Sequence, residues 1–462
     1  MKQSAPLWFS WVIGGFLLCA FGFFNGYPLL YPDTDMYIEC GFTGEQAIYG
    51  RSMAYSFFVR HMSLASSLWW VIIAQGLLLS SVMLLSLKHY LPPDWRHRVP
   101  LLHLGLITGL LLCTGISVRC SQVMPDIFTA IGGLGLALLL VAPRLSGLAR
   151  AYLAVVTVWS IMSHTANLAS FLLLLLLLGL IMGIGWLRTR QWLLAPRQWL
   201  VGATLVGAAW LLLPTIHYFT GGGFRASGGS PIFFTGQLNE MGILTYFLQK
   251  KCDTDSTYVL CPYRNKVPES FLWDSNSPLY RMGGWRAADQ EAYQALNQAV
   301  LSDPKYFKLF LQAAVMGTFE QFFNFDTDNV SLRGINWRAA SHFRSRYPWE
   351  VYRLTGSRQA QKTLDFRASN RRQRVLVYLS LLGLLALLFR PAWLQAIPAP
   401  LRWALLLIGL LLVSNAAVCG GLSNAAMRYQ NRLIWALPFL MSLVVMLRWP
   451  AIRARLRGWL LR

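Results

Sequence analysis

The 462-residue chain is poor in acid: 19 Asp and Glu stand against 41 Lys and Arg, for a formal net charge of +22. Outside residues 216–373 the only carboxylates are Asp33, Asp35, Glu39, Glu45, Asp94 and Asp126. Charged residues of both signs make up 13%, against about 25% in soluble globular proteins, which excludes an ordinary water-soluble fold. Cysteine is sparse too, and its seven copies form no CxxC pair and join no His-rich run, so zinc-site spacing is absent. The long hydrophilic stretch 217–373 holds no GxxxxGK(S/T) and no GxGxxG after a strand, which leaves it without a nucleotide phosphate loop. No A-x-A-like site follows the first apolar run, Leu7 to about Leu30, so that run reads as an uncleaved span.

Apolar residues are what the chain has in quantity. They make up 55%, with a mean hydropathy of +0.44. Several runs approach the ~20 residues that cross a hydrocarbon core. Spans are expected near residues 7–30, 68–87, 100–117, from 127 onward, 151–162, 168–186, 198–216, 375–389, 401–419 and 433–447. The excess positive charge falls in alternate short connections: Lys88, Arg96 and Arg98; Arg144 and Arg150; Arg188, Arg190 and Arg197; Arg390 and Arg402; Arg448, Arg453, Arg455, Arg457 and Arg462. That is the positive-inside pattern. It predicts cytoplasmic termini in a bacterial inner membrane and makes the basic charge topological, with no role in nucleic-acid binding. The fold expected is an all-α polytopic membrane protein of about ten transmembrane helices with a large, mostly helical extracytoplasmic loop domain. Residues 1–216 would form an N-terminal module with an acidic outer loop at 31–67, residues 217–373 a cap, and residues 374–462 a C-terminal module with a basic tail touching anionic lipid.

The residues with chemical potential all fall on the expected outer face. Tyr31-Pro32-Asp33-Thr34-Asp35 follows the first span directly, and carboxylates beside lipid are expensive to keep without a use. Pro125-Asp126 starts the fourth span, where Asp126 could be a helix cap or a pocket residue. His164, between the fifth and sixth spans, is a structural histidine or a second pocket group. Arg428 and Arg432 are four apart, so a helix puts both guanidinium groups on one face, suited to phosphate oxygens or to snorkelling. Arg371, Arg372 and Arg374 stand outside against the charge rule and could attract a headgroup or a lipid phosphate. Cys252 and Cys261 share one loop and could close a disulfide in an oxidising compartment; Cys40 with Cys120 is a second possible pair.

The acidic triplet Asp33-Thr34-Asp35 just after the first span, the many spans with chemistry outside, and the extended late outer segment resemble the GT-C superfamily of integral-membrane glycosyltransferases. The resemblance implies a polyprenyl-phosphate-linked sugar donor, a lipid or glycan acceptor, and direct displacement at the anomeric carbon. It implies Asp35 as base, Asp33 supporting it or helping to hold a divalent cation (Mg or Mn), and Arg428 and Arg432 neutralising the phosphate. Asp126 and His164 would orient the acceptor. A WWDYG acceptor-peptide motif is absent, which argues against transfer to protein. The alternatives are a transporter or flippase of lipid-linked or anionic substrates and a non-catalytic assembly protein. The Leu-rich spans, nearly free of ionisable groups and without internal duplication, disfavour a transporter.

The topology is open to a direct check. Reporter tags in 31–45 and 425–432 should report the same side of the bilayer, and tags in 92–98 the opposite side. Labelling that puts 31–45 and 425–432 on different sides would end the shared-site reading.

Overall fold

The computed structural model describes residues 6–45, 51–327, 340–423 and 425–460, with 286, 287 and 450–460 as backbone. The side chains of Arg453, Arg455 and Arg457, together with Arg462 and Asn424, lie outside the described set. Among the described residues every regular element is helical, and the one strand-like contact is an isolated bridge between Leu29 and Gln122. Seven helices are long and apolar enough to cross a membrane: Leu7–Asn25, Trp69–Tyr90, Thr165–Thr189, Pro196–Phe219, Arg367–Phe389, Ala399–Gly421 and Met427–Trp449. They make the chain compatible with an integral membrane protein.

The other three expected spans are helices of 15, 16 and 16 residues, Val99–Cys113, Asp126–Val141 and Gly147–Met162. At 1.5 Å per residue they reach about 23–24 Å, short of a ~30 Å core. The missing length has gone into turns at one end of the bundle. Thr114 leaves the helix in an extended conformation, a five-residue helix Ile116–Cys120 follows, and Pro125 precedes the next start. Asp126–Val141 lies in the middle of the bundle with nearly every residue buried, so protein surrounds it where a longer helix would meet lipid. Outward faces are apolar instead, as Leu172, Leu176, Leu180 and Leu187 show along Thr165–Thr189.

The two ends of the bundle differ. At one, the basic connections meet: His89 bonds the Pro143 carbonyl at 3.1 Å, and Leu193, Leu394 and Arg402 line one groove. At the other end the first loop is welded to the 121–125 turn. Leu29 donates to Ser121 O, Val123 donates to Leu29 O, and Thr34 Oγ donates to Val123 O, each at 2.9 Å.

The hydrophilic stretch divides in two. Residues 232–310 build a separate core around Ile232, Leu244, Phe247, Phe271, Tyr293 and Leu296, closed by the Cys252–Cys261 disulfide. Cys40 and Cys120 are buried thiols that do not bridge. Residues 340–366 instead join the bundle core through Phe343, Tyr347 and Leu354. Buried Glu350 pins them there, accepting from Tyr27 Oη and Ser67 Oγ at 2.5 Å and from Leu68 N at 3.2 Å. Three donors thus satisfy both carboxyl oxygens of a side chain that burial would otherwise leave unpaired.

Helix Pro304–Phe323 joins the second core to the bundle. Asp303 caps its start through Lys305 N at 3.0 Å, and Phe307, Leu311, Val315, Phe319 and Phe323 run exposed along one side. Its other side crosses the π-helical turn Ala417–Gly421, where Gly317 and Gly420 meet so closely that a methyl on either would strike the other's carbonyl. Gly420→Ala should therefore destabilise by about 1–3 kcal/mol, read as a lower unfolding temperature in detergent. Gly409→Ala, with nothing near the added methyl, should leave that temperature unchanged or raise it.

Candidate functional site

The site forms where the ends of four helices meet. Asp33 precedes helix Thr34–Thr43, Arg51 precedes Met53–Met62, Asp126 opens Asp126–Val141, and Arg428 and Arg432 stand in the first and last turns of the short helix Met427–Ile434. Asp33 accepts from Arg51 at 2.5 Å and from Arg428 at 3.5 Å. Asp126 faces Arg428 at 3.8 Å and Arg432 at 3.6 Å. The Arg428 guanidinium also lies 4.4 Å from the Tyr31 ring centroid and 4.9 Å from that of Tyr429, both cation–π distances. Arg432 donates to Asn415 at 2.7 Å.

These contacts leave polar capacity unspent. Asp126 is fully buried, yet neither carboxylate oxygen has a hydrogen-bond partner; nor do Nε of Arg428 or Nε and Nη1 of Arg432. The Asp126 pairs are ion pairs without hydrogen bonds, an arrangement that repays burial poorly. The carboxylate gains from the helix dipole beneath it but makes no capping bond of its own. Within this cluster three guanidinium groups meet two carboxylates, so one positive charge is left for a visitor. Burial opposes the charge on Arg51, and the Asp33 carboxylate more than reverses this, holding the guanidinium above its ordinary pKa. A cavity of roughly 450 Å³ opens against the cluster, lined by Tyr31, Asp33, Arg51, Arg428 and Tyr429 below and by Phe233, Gln237 and Trp273 of the second core above.

The structure brings together Asp33, Asp126, Arg428 and Arg432, with His164 at their edge. His164 caps helix Thr165–Thr189, its Nδ1 accepting from Ala166 N at 3.1 Å, and its ring meets Tyr429 edge-on at 6.4 Å. Asp35 stands apart. Its oxygens accept from Phe343 N at 2.7 Å and His342 N at 3.4 Å, and so cap helix Ser341–Arg346. The reason is rotation: residues two apart on a helix differ by about 200°, so the triplet's two acids face opposite ways. For the same reason they do not fit a shared divalent cation, and the groups beside Asp33 are guanidinium. Among the described residues no group of three or more His, Cys, Asp or Glu gathers to hold a metal. Cys252 and Cys261 lie in the second core, outside the site.

Several site residues carry no motif in the sequence: Arg51 lies within the outer loop 31–67, and Phe233, Gln237 and Trp273 lie in the hydrophilic stretch 217–373. A signal for Arg51 existed, since it is an arginine on the face that the charge rule depletes. Tyr31 also lines a second cavity of roughly 930 Å³ with Asn324, Arg367, Arg371, Arg374 and Tyr378. There Arg374 is paired with Asp326, and Arg367 with Asp365 at 2.7 Å, while Arg371 has no acidic partner among the described residues. Comparison with protein-family models, curated proteins and solved structures finds no match.

Burial, then Arg432, Arg428 and Arg51, hold the His164 pKa well below the usual imidazole value, so the folded ring stays neutral. The unfolded chain takes up a proton near pH ~6.5 that the folded chain refuses, so stability from this group rises with pH and falls on acidification. Between pH 7 and pH 5 His164→Asn should lose one proton's share of that slope, at most about 1.4 kcal/mol per pH unit. Thermal unfolding across that range measures it, and an unchanged slope would refute the assignment.

Proposed function

We propose that the chain transfers a sugar from a lipid-phosphate-linked donor to a hydroxyl acceptor, as its resemblance to the GT-C glycosyltransferases implies. The reading rests on the surplus guanidinium charge around Asp33, at a cavity that shares Tyr31 with an arginine-lined neighbour. An anion is the partner such a surface needs. One face of helix Arg367–Phe389 carries Arg367, Arg371 and Arg374 and then Tyr378, Leu381, Leu384 and Leu388 at helical spacing. The last three line an apolar groove with Trp403 and Leu437. A head that binds phosphate above a slot that takes hydrocarbon suits an anionic amphiphile. In this reading the three short helices complete a ten-helix GT-C-like bundle, the second core is an extracytoplasmic cap, and both termini are cytoplasmic.

Asp33, not Asp35, is then the base. As the donor phosphate draws Arg428 away from its loose 3.5 Å contact, the carboxylate oxygen is released toward the acceptor. The acceptor hydroxyl gives its proton to Asp33 as its oxygen bonds to the anomeric carbon. The bond from that carbon to the phosphate oxygen breaks, and the lipid phosphate leaves with the electron pair, stabilised by the arginines. Charge at the helix ends, in place of the middle of the bundle, speaks against a transport path.

The two acids separate under substitution. Asp33→Asn should reduce transfer by ~10²-fold or more in membranes that hold normal amounts of the chain. Asp35→Ala should cost about 0.5–2 kcal/mol of stability through the lost cap and retain transfer. Glycolipid profiles of strains carrying each variant give the answer, and an unaltered Asp33→Asn profile would remove the proposal.

A further inference from the structure

We infer that the wall of the Asp33 cavity supplied by the second core is a carbohydrate-recognition face, with a sugar ring on Trp273 and a hydroxyl donating to Gln237 Oε1. It rests on the reading of the cavity as a glycosyl-transfer site and adds what the transferred or accepting group must look like. Gln237 sits on helix Ser230–Glu240 at 5% exposure, and its Oε1 is buried without a hydrogen-bond partner. Its polar neighbours on that helix are engaged elsewhere. Thr235 donates to Asn297 at 2.8 Å, and Asn239 donates to the Pro268 carbonyl at 2.8 Å. An unpaired buried carbonyl on a cavity wall implies a donor that arrives with the ligand.

Trp273 supplies the other half. Its indole is 56% exposed although it lines the cavity, and it is backed by Phe233 at 6.5 Å and Trp285 at 6.3 Å between centroids. Those neighbours hold the ring as a shelf. A tryptophan that anchors the protein to lipid would face the bilayer, whereas this one shares its cavity with Asp33, Arg51 and Arg428. Hydrocarbon on that shelf would leave Gln237 unpaired, and a bare phosphate would gain nothing from the indole. A sugar has an apolar C–H face for the ring and a rim of hydroxyls for the amide.

The test is saccharide binding to the full chain in lipid nanodiscs, free of glycoside detergents. The probes are methyl glycosides of common hexoses and pentoses, followed by tryptophan fluorescence and by the shift in unfolding temperature. At least one should bind saturably. Gln237→Leu, which keeps the side chain's bulk, should weaken it roughly three- to tenfold, Trp273→Ala should abolish it, and Trp273→Phe should retain part of it. Transfer is read separately, from the glycolipid profile of the Asp33→Asn strain, so a failure of the transfer reading is distinguished from a failure of saccharide binding at Gln237 and Trp273. Binding unchanged in Gln237→Leu and Trp273→Phe, or no binding by any glycoside of the set, overturns the inference.

Discussion

Asp33 and Asp126 share a water-poor space with Arg51, Arg428 and Arg432, and the geometry of that space governs most of what surrounds it. Charges removed from water must find one another at short range, since the desolvation penalty is several kcal/mol per ion. Here the partners come from four separate helices, so the turns that lead into those helices must all be held. Thr34, Ser121 and Val123 hold the first loop, Gln321 holds Ala426 through bonds of 3.0 and 2.8 Å, and Asn431 bonds Arg119 at 2.7 Å. Buried polar side chains are concentrated at this end for that reason.

The same constraint accounts for the shortened helices. A bundle built only to span lipid would extend each helix to full length. This one ends Val99–Cys113 early and starts Asp126–Val141 late, and the turn between them holds the first loop, whose Tyr31 and Asp33 line the cavity floor. The second core supplies the roof, tied to the bundle by helix Pro304–Phe323 and the close Gly317–Gly420 crossing. Floor and roof thus differ in chemistry, one ionic and one aromatic with an amide. Both chemistries are needed if a charged and a polyhydroxylated group are handled side by side.

The sequence showed some of this well and some of it poorly. Arg428 and Arg432 were legible because four-residue spacing on a helix is a local property, and both reach Asp126. Asp126 itself was legible as the residue after Pro125, although its side chain turned out to cap nothing. The separation of Asp35 from Asp33 was not legible from a two-residue spacing alone, because it follows from the chain there being helical and turning the two acids apart. Gln237 and Trp273 carried no signal at all. An unsatisfied amide oxygen is a statement about neighbours, and those neighbours are distant in the chain.

What the sequence by itself determined is the material: apolar runs long enough for membrane helices, basic connections gathered at one end, and a few ionic residues set against that pattern. Each follows from sums over neighbouring residues, because hydropathy and helical spacing are local. Only the tertiary structure decided which acid meets which base. The Asp33–Arg428 contact joins residues 395 apart, and Coulomb attraction at a few ångströms depends on where helix ends converge, which no local window contains.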